Sequence, residues 1–270
     1  MSGAAMAGRL AGKTALVVGA AGVGNMGQVI ARRFAAEGAR VAVAGRHRDV
    51  LDALAQEIGG VAVECDFSEG ESIAAMVAQA DAALGRIDIA VNATGWGLLK
   101  PFLETTGEDM DRMYALQLRG PFRFFQALIP VMERQGGGSI IQISSATATI
   151  MFHDHAAYMA TKAGTDHLLR TVANEFGHLG IRANSISPGV TETPMTADAQ
   201  AVPGLMEAFR KGYPLGRYGT SEDIAAGCVF LASDECFMTG QNLQVNGGLT
   251  LRANPSKADI EASVAAAMAQ

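Results

Sequence analysis

The chain has 270 residues, 49% of them hydrophobic and 18% charged, with a formal net charge of −6, so it can bury a sizeable core and is expected to fold as a single domain over 1–270. Thirty-two glycines and eight prolines without a three-residue period exclude a collagen-like chain, and the apolar fraction excludes a disordered one. The acidic balance supplies no clustered positive charge to attract nucleic acid or an anionic lipid surface, so neither is an expected partner.

From the N-terminus, Arg9 and Lys13 followed by the largely apolar stretch Thr14 to Ile30 imitate a secretory signal. Gly19, Gly22, Gly24 and Gly27, with Asn25 and Gln28, break that stretch, since each glycine costs about 1 kcal/mol of helix propensity. No apolar run is long enough to span a bilayer, and a cytoplasmic protein is expected. Short β-branched runs then alternate with longer amphipathic ones. ALVV at 15–18, VAVA at 41–44, VAV at 61–63, IDIAV at 87–91, SIIQIS at 139–144, IRANSIS at 181–187 and LQV at 243–245 read as seven buried strands. Met26, Val29, Ile30 and Phe34 recur at helical spacing before a stop at Gly38, and Leu168, Leu169, Val172, Phe176 and Leu179 mark a second helix. The alternation predicts an α/β fold, a doubly wound seven-stranded parallel sheet with helices on both faces, with its core at about 10–250. The tail, Asn254 to Gln270, is polar and then alanine-rich, a short helix or disordered segment with no assigned chemistry. Cys65, Cys228 and Cys236 have neither metal-ligand nor CxxC spacing, which fits a reducing compartment and small core or surface roles.

The first strand runs into GAAGVGNMG at 19–27 and then a helix, the arrangement in which glycines let backbone approach a pyrophosphate at a helix N-terminus. The second strand ends at Ala44 and Gly45 without a carboxylate, and Arg46 follows. A carboxylate there repels a 2′-phosphate on the adenosine ribose, whereas a guanidinium binds it, so NADP(H) is the expected cofactor, in preference to NAD(H). Tyr158 and Lys162 stand four residues apart in HAAYMATKAG, on one face of a helix. Ser145 lies just past the SIIQIS strand, at the carboxyl end of the sheet where open α/β proteins place ligands.

Together with CDF at 65–67, NATG at 92–95, SPGVTETPM at 187–195 and GQNLQVNGG at 240–248, these segments resemble the short-chain dehydrogenase/reductase family over Leu10 to Gly248. The resemblance implies a single Rossmann-type domain that transfers a hydride between nicotinamide and a carbonyl or carbinol carbon, with Tyr158 passing the proton. A phenol needs a shift of about three units, about 4 kcal/mol, to act as a base near neutrality. One positive charge about 5 Å away at an effective dielectric of about 20 supplies roughly 3 kcal/mol of it, which is the role expected of Lys162, together with holding the nicotinamide ribose. Ser145 is expected to hydrogen-bond the substrate oxygen. By the same resemblance Gly19, Asn25 and Met26 belong to the phosphate loop, Asp66 and the Phe67 backbone meet adenine, Asn92 lies along the cofactor, and Val190 with Thr193 hold the nicotinamide carboxamide. No metal is expected, His153 and His155 having no third ligand.

The sequence departs from the family at two places. Its glycine loop is two residues longer, with Asn25 where the middle glycine usually stands. LQLRG at 116–120 puts Gln117 in place of the active-site Asn that holds a water of the proton relay, and Gln carries the same amide one methylene further out. The reading is of an oxidoreductase interconverting a secondary alcohol and a ketone on a small hydrophobic, cyclic or steroid-like molecule, with Trp96, Met151, Phe152, His153, His155, Met195 and Met206 near the pocket and Ala197 to Pro214 as a lid. A catalytically inert NADP-binding sensor or assembly subunit, and an enoyl reductase, are the alternatives. A homodimer or homotetramer is expected, with Phe122, Phe125, Leu168 and Leu169 shared between core and interface.

Overall fold

The computed structural model describes residues 8–269; Met1 to Ala7 and Gln270, which the single-domain expectation includes, lie outside the described residues. Seven parallel strands form one sheet in the order β3-β2-β1-β4-β5-β6-β9. They are β1 (Thr14–Val18), β2 (Arg40–Gly45), β3 (Val61–Glu64), β4 (Ile89–Asn92), β5 (Gly138–Ile143), β6 (Ile181–Pro188) and β9 (Asn242–Val245). All seven expected strands are present. The fourth starts two residues later than its hydrophobic run, because Ile87 packs in the core ahead of the first ladder pair, Ile89 with Ala15. Nor are all seven buried. β3 and β9 pair on one side only and stay half-exposed.

β1 shows how alternation builds both layers. Ala15 and Val17 point into a core with Ile30, Phe34 and Val229, while Leu16 and Val18 point into one with Ile73, Phe124 and Leu128; successive strand residues face opposite sides of the sheet. The first core lies under α1 (Met26–Ala36), α2 (Arg48–Ile58) and α9 (Ser221–Ala232), the second under α3 (Gly70–Leu84), α5 (Gly120–Arg134) and α6 (Ala156–Phe176). Leu179 falls in a short turn beyond α6, not in the helix. Phe125 and Leu169 are core residues, whereas Phe122 is 43% exposed. The three cysteines are buried and unbridged. Among the described residues, no helix is long and apolar enough to cross a membrane.

Two further features frame the carboxyl edge. α4 (Gly107–Tyr114) runs into α5 through a wide π turn, Ala115–Arg119, a form frequent at functional sites. After β6 the chain makes a flap, closed at its base by β7 (Thr191–Glu192) pairing with β8 (Gly219–Thr220) and carrying the short α7 (Ala197–Gln200) and α8 (Leu205–Arg210). The tail is ordered as α10 (Lys257–Met268), started by a reciprocal cap between Ser256 and Asp259. It packs on α8, with Ser263 Oγ donating to the Gly204 carbonyl at 2.8 Å.

Candidate active site

The sheet order reverses between β1 and β4, and the turns following these strands lie against each other there. Gly19 has φ +90°, and a Cβ on it would come 2.7 Å from the carbonyl carbon of Ala93, so only glycine allows this approach. At Gly27 a Cβ would lie 2.4 Å from the Gly19 oxygen, which lets α1 start directly against the strand end. Two amides knit the lengthened loop. Asn25 caps α1 by accepting from the Gln28 N–H at 3.0 Å and donates to the Gly19 carbonyl at 2.8 Å. Gln28 accepts from the Gly24 N–H and donates to the Ala20 carbonyl. Met26 packs against the core while lining the cleft.

A cleft of about 710 Å³ runs from this loop, past Arg46, Asp66 and Phe67, to Ser145, Tyr158, Lys162, Val190 and Thr193. Arg46 is exposed at the end of β2. Asp66 is held by Ser68, whose hydroxyl and N–H both donate to it and draw its carboxyl below the usual range. Asn92 is only 1% exposed and stands behind the lining: its amide donates to Gln142 Oε1 at 2.8 Å and accepts from Thr94, bracing the turn that reaches the cleft.

At the far end, Ser145 caps the turn Ala146–Ala148, its Oγ 2.9 Å from Thr147 Oγ1, and lines the cleft with Tyr158, whose phenol its hydroxyl draws down. Lys162, 4% exposed, donates to the Ile143 carbonyl at 2.9 Å and lies 5.5 Å from the centre of the Tyr158 ring. Burial pushes the Tyr158 phenol up to about 12, with the Ser145 hydroxyl working against it, and pushes the Lys162 ammonium down to about 8, with Asp166 working against that. The expected lowering of the phenol by Lys162 is thus outweighed by burial in this arrangement. Both groups are desolvated, and the ammonium is engaged by a strand carbonyl.

Gln117 sits in the π turn, 3% exposed, with Nε2 donating to Thr161 Oγ1 at 3.3 Å and contacting Met113 Sδ. Its Oε1 is buried with no hydrogen-bond partner among the described residues. A Cβ built on Gly95, in the cleft wall, would meet that oxygen at 3.4 Å and the Lys162 ammonium at 3.8 Å, so the two groups flank one small space.

The sequence model of a family described as Enoyl-(Acyl carrier protein) reductase matches residues 19–250. The chain is 38% identical over 250 residues to the D-threitol dehydrogenase of Mycolicibacterium smegmatis, covering 90% of this chain and 95% of that one. The chain belongs to the short-chain dehydrogenase/reductase family. Among solved short-chain dehydrogenase/reductase structures, a gluconate 5-dehydrogenase from Burkholderia cenocepacia in complex with NADP and tartrate superposes with a TM-score of 0.87 at 29% identity, covering 91% of this chain and 98% of that one. A 7α-hydroxysteroid dehydrogenase complexed with NADH and 7-oxo glycochenodeoxycholic acid superposes at 0.84 with 33% identity, covering 91% and 96%.

The family binds a nicotinamide dinucleotide, and the residues of this short-chain dehydrogenase/reductase fit one. The glycines at 19 and 27 leave a bare backbone cradle that side chains would fill, and the cleft joins that cradle to the Tyr158–Lys162 pair. Val190 departs from its expected part. Its N–H is taken by the Tyr213 hydroxyl at 2.6 Å and its carbonyl by the Gly219 N–H.

Sequence reasoning missed Tyr213, which is 2% exposed and comes within 2.4 Å of where a Cβ on Gly189 would lie; no spacing pattern announces it. Likewise unannounced is Arg112, whose guanidinium lies 4.0 Å over the Trp96 ring. Arg112 lines the cleft, and Tyr213 stands behind Gly189 and Val190, which do. Among the described residues, no three His, Cys, Asp or Glu side chains could hold a metal ion.

Proposed function

We propose that this protein is an NADP(H)-dependent oxidoreductase that interconverts a secondary alcohol and a ketone on a small hydrophobic, cyclic or steroid-like molecule. The observation that carries the reading is Tyr158 with Ser145 and buried Lys162 at one end of a cleft whose other end is a glycine cradle. A nicotinamide dinucleotide, when bound, supplies or accepts the hydride. Gly19, Asn25 and Met26 hold its phosphates, Asp66 and Phe67 its adenine, Lys162 its ribose and Thr193 its carboxamide, with the Asn92 amide holding the loop against it. Arg46, with no carboxylate at Gly45, favours the 2′-phosphate.

Ser145 orients the substrate oxygen, and Tyr158 protonates it in ketone reduction, for which a phenol kept protonated by burial is suited. In the reverse direction Tyr158 must release its proton, and the charge on Lys162 favours that release. Gln117 offers its unpartnered Oε1 toward the space beside Lys162, where a relay water would sit. Trp96 and Met195 line the substrate side, which suits an apolar ligand; the named activities of the relatives support the alcohol/ketone chemistry. The same reading takes the core as one nucleotide-binding domain, in a cytoplasmic homodimer or homotetramer to which exposed Phe122 contributes.

The test is a panel of hydroxysteroids, cyclic alcohols and polyols with NADP or NAD, with Tyr158→Phe as control and an enoyl thioester with NADPH as the competing chemistry. Alcohol oxidation at least tenfold more efficient with NADP, abolished in Tyr158→Phe and reversed in preference by Arg46→Asp, is the expected result. Tight NADPH binding with no turnover of any alcohol or ketone overturns it in favour of a sensor, and turnover of the enoyl thioester alone in favour of an enoyl reductase.

A further inference from the structure

Asp166 stands one helical turn beyond Lys162 on α6 and is only 8% exposed. Its Oδ2 accepts from Ser144 Oγ at 2.8 Å and from Asn242 Nδ2 at 2.6 Å, and the Ser185 hydroxyl helps draw the same carboxyl down. Its Oδ1 is buried without a hydrogen-bond partner among the described residues. A carboxyl is costly to bury, and the two donors bonded to it satisfy only part of its capacity. β5 and β6 lead into the cleft, and β9 pairs with β6. Ser144 immediately precedes Ser145, Ser185 lies on β6 three residues before Pro188, and Asn242 opens β9.

The cation nearest along this face of α6 is Lys162 itself, at the i, i+4 spacing, with its ammonium bonded to the Ile143 carbonyl and acting on Asp166 through space rather than as a contact ion pair. On α6 the only other titratable group turned to the site is Tyr158. The π turn presents Gln117, and β5, β6 and β9 present Ser144, Ser185 and Asn242, none of which titrates; Arg182 of β6 is engaged instead by the Leu231 and Ser233 carbonyls. The buried ammonium therefore has one carboxylate to offset its loss of water.

We propose that Asp166 is a positioning residue of the proton-transfer site: the buried counter-charge that keeps Lys162 an ammonium and, through Ser144, fixes the strand end that carries Ser145. Asp166 touches neither substrate nor cofactor and acts through Lys162 and Ser144. The direction of the shifts agrees, since Asp166 is what holds the Lys162 ammonium up against burial, and Lys162 draws the Asp166 carboxyl down against its own burial.

The inference rests on the alcohol/ketone reading, and two measurements keep it separate from that reading. In ketone reduction, Asp166→Asn keeps the shape and removes the charge, so the first proton leaves the Tyr158–Lys162 pair more easily. The alkaline limb of the kcat/KM profile is expected to move about one unit toward lower pH. A uniform loss at every pH with the limb unmoved would mean a structural role only and overturns the proposal. The second measurement needs no turnover. With ¹³Cγ-labelled aspartate, the Asp166 carboxyl of the full-length protein is followed by NMR in the wild type and in Lys162→Met. By reciprocity its titration midpoint is expected to rise by about one unit when the cation is removed. An unchanged midpoint overturns the proposal, whether or not any alcohol is a substrate and whether or not Asp166→Asn folds.

Discussion

The imidazole of His155 lies stacked on the phenol ring of Tyr158, with centroids 4.3 Å apart and planes 29° apart. Its Nδ1 is 2.7 Å from the Leu98 carbonyl, and burial pushes its pKa down, so a neutral ring donates from Nδ1 and fixes one face of the phenol. His155→Ala removes the support and is expected to lower kcat about tenfold, an aromatic contact being worth about 0.5–1.5 kcal/mol. His155→Phe is expected to restore most of it. Steady-state kinetics of the two variants decide the matter, and equal loss in both would show that the imidazole nitrogens matter and not the stacking.

Burying Lys162 has a cost whose dependence on pH can be stated. Its pKa is lowered from 10.5 to about 8 on folding, so between these values the unfolded chain holds more protons and stability rises with pH. Below pH 8 the penalty is fully present; above 10.5 it is gone. Lys162→Met removes the group, so the Tm of the variant relative to wild type is expected to fall steadily as pH is raised from 8 to 10.5. A Tm difference that is flat across this range, measured by calorimetry, contradicts the assignment.

Gly27→Ala forces a methyl to within 2.4 Å of the Gly19 carbonyl oxygen. Helix α1 must then move off the strand end, at an overpacking cost of about 1–3 kcal/mol. The expected outcome is a lower Tm together with at least tenfold weaker NADPH binding by fluorescence titration. Gly107→Ala, where nothing lies within 4 Å, is the control and is expected to leave both unchanged or slightly improved.

Gln117→Ala deletes the buried oxygen beside Lys162 but also the bond to Thr161. A part in proton relay predicts a solvent isotope effect and a pH profile altered in the variant, with NADPH affinity retained. Gln117→Glu keeps the length and an acceptor oxygen and is expected to recover part of the rate. Full turnover of Gln117→Ala across the pH range removes the relay role.

Much of this architecture is legible from the chain. The seven strands could be read because five of the seven are enclosed and the two half-exposed ones still keep a short apolar run, and Tyr158 with Lys162 because helical spacing puts them on one face. Residues that act through tertiary contact escaped. Tyr213 reaches Val190 from the flap across 23 positions of chain, and Asp166 gathers donors 22 positions before it and 76 after it; neither leaves a periodic trace. The tail was ambiguous for a different reason. In α10 the inward face, Ile260, Ser263, Val264 and Ala267, is only half-buried and two of its four residues are small, so it offers a weak apolar stripe for a pattern to reveal. Asn92 and Val190 occupy the expected stretches, yet their polar groups are used within the protein, a matter of side-chain and loop geometry that motif spacing does not encode.

The row of rings in the flap gives that tail a meaning. Phe209 of α8 rests on Phe152 at 5.4 Å, Phe152 meets His155 edge-on at 6.0 Å, and His155 covers Tyr158, while α10 packs on α8. Residues 251–269 fall beyond the stretch that matches the family. Loss of the Ser263 bond to Gly204 is therefore expected to disturb, through α8 and Phe209, the rings stacked over Tyr158, while Lys162 and the glycine cradle sit on other elements.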